Sequence, residues 1–179
     1  MDLGIGSGLV EEQLFACRPD ASVVGIDSSQ AMIDLARARL APFEQQVRII
    51  QHDLIHFQDA LSPAETYALI FSIQAFHHLP HQVQQTLFHA IFDALPAIGV
   101  VLLLDRIDLD LESFSDLYRT VWNRLEQVSQ IKSGWSGNDF LQKLQKKEDH
   151  PVSLENHLSW LREAGFAATC LHLHLNRAL

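Results

Sequence analysis

The run Asp2-Leu3-Gly4-Ile5-Gly6-Ser7-Gly8 constrains this chain more than any other stretch. Glycines at alternate positions let the backbone adopt positive φ and let a ligand touch the main chain, because no Cβ intervenes. Leu9 to Arg18 then reads as a short helix with Glu11 and Glu12 in its first turn, where carboxylates complement the positive end of the helix dipole. A glycine turn that opens a helix is the nucleotide-binding arrangement of α/β proteins. The strand feeding such a turn takes about five residues. Only Met1 to Leu3 stand ahead of Gly4, so the first strand is expected to be largely missing.

Apolar runs of strand length recur at Ser22–Asp27, Val47–Asp53, Tyr67–Ser72 and Gly99–Asp105. Between them lie helical patterns. One has an expected stripe of Met32, Leu35, Ala36 and Leu40 with Arg37 and Arg39 facing water; another, from Pro80 to Leu95, carries Val83, Leu87, Ile91 and Leu95. Strands alternating with helices imply a Rossmann-like, doubly wound α/β fold with a mostly parallel sheet. From Leu109 the rhythm changes to a long amphipathic helix bearing Phe114, Leu117, Tyr118, Val121, Trp122, Leu125 and Val128. A breaker at Ser133–Asn138, with Trp135, precedes a shorter helix around Phe140, Leu141 and Leu144. Residues 1–179 read as a single domain with 109–150 as a helical insertion. That insertion either covers a small-molecule pocket as a lid or packs on the sheet or on a second copy, giving a homodimer. Ser153 is placed to cap a helix through Leu154, Leu158 and Leu161 to Gly165, and Phe166–Leu175 reads as the last strand.

No stretch approaches the ~18 apolar residues of a membrane span and no basic leader is visible, so a cytoplasmic protein without a membrane partner is expected. The formal charge of −9, with Lys146-Lys147 as the longest basic run, disfavours nucleic acid as a partner. Cys17 and Cys170 stand far apart and are expected to be buried free thiols.

Ligands of open parallel sheets bind beyond the carboxyl ends of the strands. Those ends carry Asp2 with the glycines, Asp27, Asp53, Ser72 and Asp105. Asp27 lies 19 residues past Gly8, close to the ~20 at which an acid meets a ribose in dinucleotide folds; its other reading is a cap for the next helix. Leu9 stands where a dinucleotide fingerprint needs its third glycine. His77 and His78 follow the Ser72 strand at the mouth of the crevice. They are catalytic candidates if an acceptor must lose a proton, and otherwise bond a neighbouring backbone. His81 completes a His-His-x-x-His run, but without an i, i+4 pair on a helix or an adjacent acid no metal site is expected.

Asp2–Gly8, Gly25-Ile26-Asp27-Ser28 with Met32, His52-Asp53-Leu54 and Phe71–Leu79 together resemble four successive motifs of class I S-adenosylmethionine-dependent methyltransferases. The resemblance implies S-adenosyl-L-methionine as cofactor. Gly4, Gly6 and Gly8 would pass under its methionine part, and Asp2 would help bind the ammonium through water or backbone. Asp27, with Ser28 beside it, would hold the ribose hydroxyls. Asp53 would take the adenine amino group, the Leu54 amide a ring nitrogen, and Met32 would pack on the base. Ser72 and Gln74 would border the sulfonium. Methyltransferases acting on base amines and protein amides resemble one another in an Asn/Asp-Pro-Pro-aromatic segment, where this chain has Ser72-Ile73-Gln74-Ala75; a small-molecule acceptor is therefore expected. Family members have strand order 3-2-1-4-5-7-6, and this chain is expected to be short at both ends, stopping at Asn176–Leu179 where the last hairpin strand would begin. Two other expectations stand beside methyl transfer. The insertion resembles that of carboxy-S-adenosylmethionine synthases of tRNA wobble-uridine modification, with Arg119 or Arg124 matching a lid arginine. Alternatively the chain is a truncated, non-catalytic and weakly stable relative.

Overall fold

The computed structural model describes residues 1–61, 65–108, 111–129, 149–174 and 177–179, with side chains at 111–114, 126, 129 and 174 excepted. In chain order the elements are β1 (Asp2–Leu3), α1 (Leu9–Cys17), β2 (Val23–Asp27), α2 (Gln30–Leu40), β3 (Val47–Gln51), β4 (Leu69–Ile73), α3 (His81–Ala94) and β5 (Val100–Arg106). There follow α4 (Leu111–Ser129), α5 (Leu154–Glu163), β6 (Leu173–His174) and β7 (Arg177–Ala178). Short 3-10 segments cover Ala41–Phe43, Leu54–Ala60 with a kink at His56, and Phe76–His78. The strands form one seven-stranded sheet in the order β3-β2-β1-β4-β5-β7-β6. The first five run parallel and β7 is antiparallel to both neighbours.

The first strand is as short as the sequence implies, yet it sits in the middle of the sheet. Asp2 pairs with Gly25 and Phe71, Leu3 with Ile26. The pairing is extended by Phe71 N–H donating to the Met1 carbonyl at 2.9 Å and by the Met1 ammonium donating to the Leu69 carbonyl at 2.7 Å. A cleft of about 960 Å³ opens beside it, lined by Met1, Val24, Tyr67, Leu69 and Phe71 among others. At the other end the last hairpin strand begins where expected, at Arg177, as the two-residue β7. β7 is present and bridges β5 (Asp105↔Ala178) to β6 (Leu173↔Ala178). Of the expected strand Phe166–Leu175, Leu173–His174 form β6 among the described residues, and Leu171 and Leu173 are exposed.

Two helices bury part of the expected stripe, Ala36 and Leu40 in α2 and Leu87 and Ile91 in α3, with other neighbours beside them. In α2 the buried set is Ile33, Ala36 and Leu40, at i, i+3 and i+7, which turns Met32 and Leu35 outward. In α3 the fully buried side chains include the polar Gln84 beside Leu87, Phe88 and Ile91. Gln84 Nε2 donates to the Leu79 and His150 carbonyls at 2.8 and 2.9 Å, and its Oε1 meets His157 Nε2 at 3.2 Å. A buried amide satisfied on both ends is stabilising where an unpaired one would be costly. Phe88 also stacks on Phe76 at 5.2 Å, fixing the segment that carries His77. Cys17 is exposed and Cys170 half-buried, so neither is the buried thiol expected; Cys17 ends α1 on its outer side. Ser153 caps α5 as anticipated, accepting from Asn156 N–H at 3.2 Å. The long helix after β5 is present as α4, with Leu117, Leu125 and Val128 exposed. The breaker with Trp135, the helix around Phe140 to Leu144 and the Phe114 side chain lie outside the described residues. Among the described residues no helix is long and apolar enough to cross a membrane.

Candidate functional site

The glycine loop leaves β1 with φ of 89° at Gly4, 54° at Gly6 and 74° at Gly8. A Cβ at Gly4 would lie 2.4 Å from Ala75 Cβ, and one at Gly8 2.8 Å from a Leu40 methyl. At Gly6 the nearest atom would be the Gly4 carbonyl oxygen at 4.0 Å, so this glycine opens on free space. The loop is clamped from below: Gly4 N–H and Ile5 N–H both donate to the Ile26 carbonyl, at 2.8 and 3.0 Å. Arg39 clamps it from the side, with Nε donating to the Ser7 carbonyl at 3.0 Å and Nη1 to Glu12 at 2.9 Å. Sequence periodicity places Arg39 on the wet face and gives no hint of this.

Asp27 combines both of its sequence readings. Its Oδ2 accepts from Gly6 N–H at 2.9 Å and its Oδ1 from Ser29 N–H at 2.8 Å, so it ties the loop to the start of α2. Ser28 and Met32 are exposed beside it. His52 N–H donates to the Asp27 carbonyl at 2.9 Å, which sets the end of β3 next to that of β2. Asp53 is exposed there and caps the turn that follows, accepting from Ile55 N–H at 2.9 Å, while the Leu54 side chain is buried. Ser72 is buried, and its hydroxyl donates to the Leu3 carbonyl at 2.6 Å, holding β4 against β1. Gln74 adopts a φ of 59°, rare for a residue with a Cβ. Its Oε1 accepts from Arg177 Nε at 3.2 Å, and its Nε2 is buried with no hydrogen-bond partner among the described residues. Such a donor, just past the end of β4, is costly unless something occupies it.

Asp2 is buried against Glu11, a residue whose position in the first helical turn suggested only dipole compensation. Asp2 Oδ1 and both Glu11 oxygens have no hydrogen-bond donor among the described residues. Two carboxylates cannot donate to each other, so the pair is satisfied only when one of them carries a proton. Burial first, then the hydrogen bond and charge of Glu11, push the Asp2 pKa up to about 9.

The histidines after β4 bond carboxylates rather than the backbone. His77 is buried; its N–H donates to Asp105 Oδ2 at 2.8 Å and its Nδ1 meets Asp105 Oδ1 at 2.5 Å. His78 is exposed, with Nδ1 2.9 Å from Asp149 Oδ1, and the two imidazole centroids are 4.0 Å apart. Asp149 also receives the Arg106 guanidinium. Burial works to raise the Asp149 pKa, but the hydrogen bonds from Arg106 and His78 outweigh it and hold the carboxyl below its usual range. Asp149 sits in a charged run that reads as a solvated loop, so this role is not legible from sequence. An apolar cavity of about 710 Å³ lies between β5, β7 and α5, and its lining contains none of the glycine-loop residues.

Glycine loop, acidic strand ends and sheet order together define a Rossmann-like class I methyltransferase fold. The chain belongs to the methyltransferase domain family, whose profile its residues 1–99 match. It is similar to the carboxy-S-adenosyl-L-methionine synthases of Aeromonas salmonicida (26% identical over 169 residues, covering 92% of this chain and 66% of the relative) and Trichodesmium erythraeum (28% over 171 residues, 93% and 64%). Among solved structures it resembles PigF with SAH (TM-score 0.68, 20% identity, 99% of this chain and 48% of that one). An O-methyltransferase family protein from Burkholderia thailandensis gives a TM-score of 0.70 at 13% identity, covering 99% of this chain and 48% of that one. The chain thus spans about two thirds of the length of those synthases and about half of those two structures.

Proposed function

We propose that the crevice binds S-adenosyl-L-methionine and that the chain transfers its methyl group to a small-molecule acceptor in the cytoplasm. The observation that carries this is Gly6: it faces open space, at a positive φ, with its N–H held by the acid at the end of the next strand. Family membership supports the same ligand. Each Asp27 oxygen accepts one backbone N–H and keeps a lone pair for a ribose hydroxyl. Asp53 and the Leu54 amide are proposed for the adenine edge, Met32 for its face, and the unpartnered Gln74 Nε2 for a polar atom near the sulfonium. When bound, the cofactor supplies an activated methyl group; the protein has to align the acceptor and exclude water. His77 and His78 are proposed to handle the acceptor's proton, His77 being oriented by Asp105. Residues 109–150 are proposed as a lid or a pairing surface between two copies, supported by the exposed Leu117 and Val128 of α4.

The test is calorimetric titration of the whole chain with S-adenosylhomocysteine beside thermal denaturation. Binding and a raised melting temperature are expected; a folded chain that binds none would sink the proposal. A second reading, synthesis of a carboxylated donor, draws on the synthases that align over 92 to 93% of this chain. Within α4, Arg119 Nη1 donates to Asp116 at 2.9 Å and Arg124 is exposed, so either is proposed as the carboxylate partner. Mass spectrometry of co-purified ligand separates the two readings by the presence of a carboxylated donor.

A further inference from the structure

Sequence spacing argues against a metal at the histidine run because no acid stands next to it. The fold supplies one. Asp149 meets His78 across 71 residues of chain, and one ligand atom from each of His77, His78 and Asp149 can be chosen so that all lie within 4.8 Å of one another. We propose that these three side chains bind a divalent first-row transition-metal cation of the zinc type.

The donor set fits. Two imidazoles and one carboxylate suit zinc, iron, cobalt or nickel, and three protein ligands leave a coordination position open. His77 has the support that metal-binding imidazoles have. Its Nδ1 is fixed by the buried Asp105 at 2.5 Å, which orients the ring and leaves Nε2 as the nitrogen for a ligand. Asp149 is likewise oriented from behind by Arg106. The third ligand, His78, is 62% exposed and gives an ion a path from solvent. His78 Nδ1 and Asp149 Oδ1 share a hydrogen bond at 2.9 Å. Two ligand atoms on one tetrahedral ion stand ~3.3 Å apart, so the pair opens only slightly to admit one. His81 takes no part, since its Nε2 lies 3.3 Å from the Pro151 carbonyl.

This goes beyond the proposed methyl transfer and does not depend on it. A cation here leaves a position for water or for an acceptor oxygen, whose proton it would loosen in place of a histidine base. His77 Nε2 serves one role or the other, so metal titration and cofactor titration can fail separately.

The chelator-stripped, dialysed whole chain is titrated with zinc chloride by calorimetry and with cobalt chloride by visible absorption. One equivalent of zinc is expected to bind tighter than about 10 µM, with cobalt giving d–d bands. Asp149→Asn and His78→Ala should each weaken zinc binding at least tenfold, and Asp105→Asn, acting through His77, by about 10- to 100-fold. His89→Ala, on an exposed position of α3, should leave binding unchanged. Circular dichroism verifies each fold; should Asp149→Asn fail to fold, His78→Ala carries the test through its exposed ring. Absence of one-equivalent binding, or binding unaffected by His78→Ala, overturns the proposal. Repeating the S-adenosylhomocysteine titration in chelator keeps the two outcomes apart.

Discussion

Gly4 and Gly6 share a positive φ but not surroundings, and this separates folding from binding at single positions. Gly4→Ala places a methyl 2.4 Å from Ala75 Cβ and is expected to cost roughly 2–4 kcal/mol of stability by urea unfolding. Gly6→Ala meets only the φ penalty, roughly 1–2 kcal/mol, yet should abolish most S-adenosylhomocysteine affinity because its methyl fills the open cradle. Asp27→Ala should weaken that affinity by roughly 1–3 kcal/mol, through lost charged hydrogen bonds and a released loop. Asp2 gives a pH signature. Its folded pKa of about 9 lies far above the usual 3.8, so the folded chain keeps a proton that the unfolded chain releases. That contribution is fully present below pH 3.8, declines as pH rises and is gone above about 9. Asp2→Asn, which cannot ionise, should flatten the fall in unfolding free energy between pH 5 and 8.5. The glycines and strand-end acids were legible because their chemistry is local. Glu11, Arg39 and Asp149 were not: each earns its place through a partner that only the fold brings near.

At the level of elements, α3 and α5 are joined through Gln84 and His157, two polar residues inside an otherwise apolar contact. Burial holds the His157 pKa below its usual 6.5, with the charge of Asp105 opposing and that of His81 assisting. Its stabilisation is therefore complete above pH 6.5 and is lost as pH falls through the lower folded value, because the unfolded chain binds the proton first. Melting temperature should drop between pH 7 and 5, and His157→Gln should reduce that drop. Replacing Gln84 with Leu should cost roughly 1–3 kcal/mol, since two carbonyls and the His157 nitrogen lose their partner. β2 to β5 and their helices were readable because apolar runs of five or more residues carry a period. In α2 the expected stripe holds at Ala36 and Leu40, while in the first turn Ile33 rather than Met32 faces the core, one residue on a helix being a turn of about 100°. β6 and β7, at two residues each, are too short to show any period, and β7 exists because β5 offers it an edge.

Across the whole molecule, the sheet is two blocks, β3-β2 and β4-β5-β7-β6, with β1 between them. The named pairs that span the junction are Asp2↔Gly25, Leu3↔Ile26 and Asp2↔Phe71. The loop that springs from this strand is fastened to Asp27 on one block, while Gly4 lies against Ala75 of the other. A molecule seated on Gly6 and reaching both Asp27 and Gln74 would therefore act as a rivet across a narrow seam. Mechanically, a chain pulled so as to shear the blocks apart should yield first at β1, and the force needed should climb when the crevice is filled.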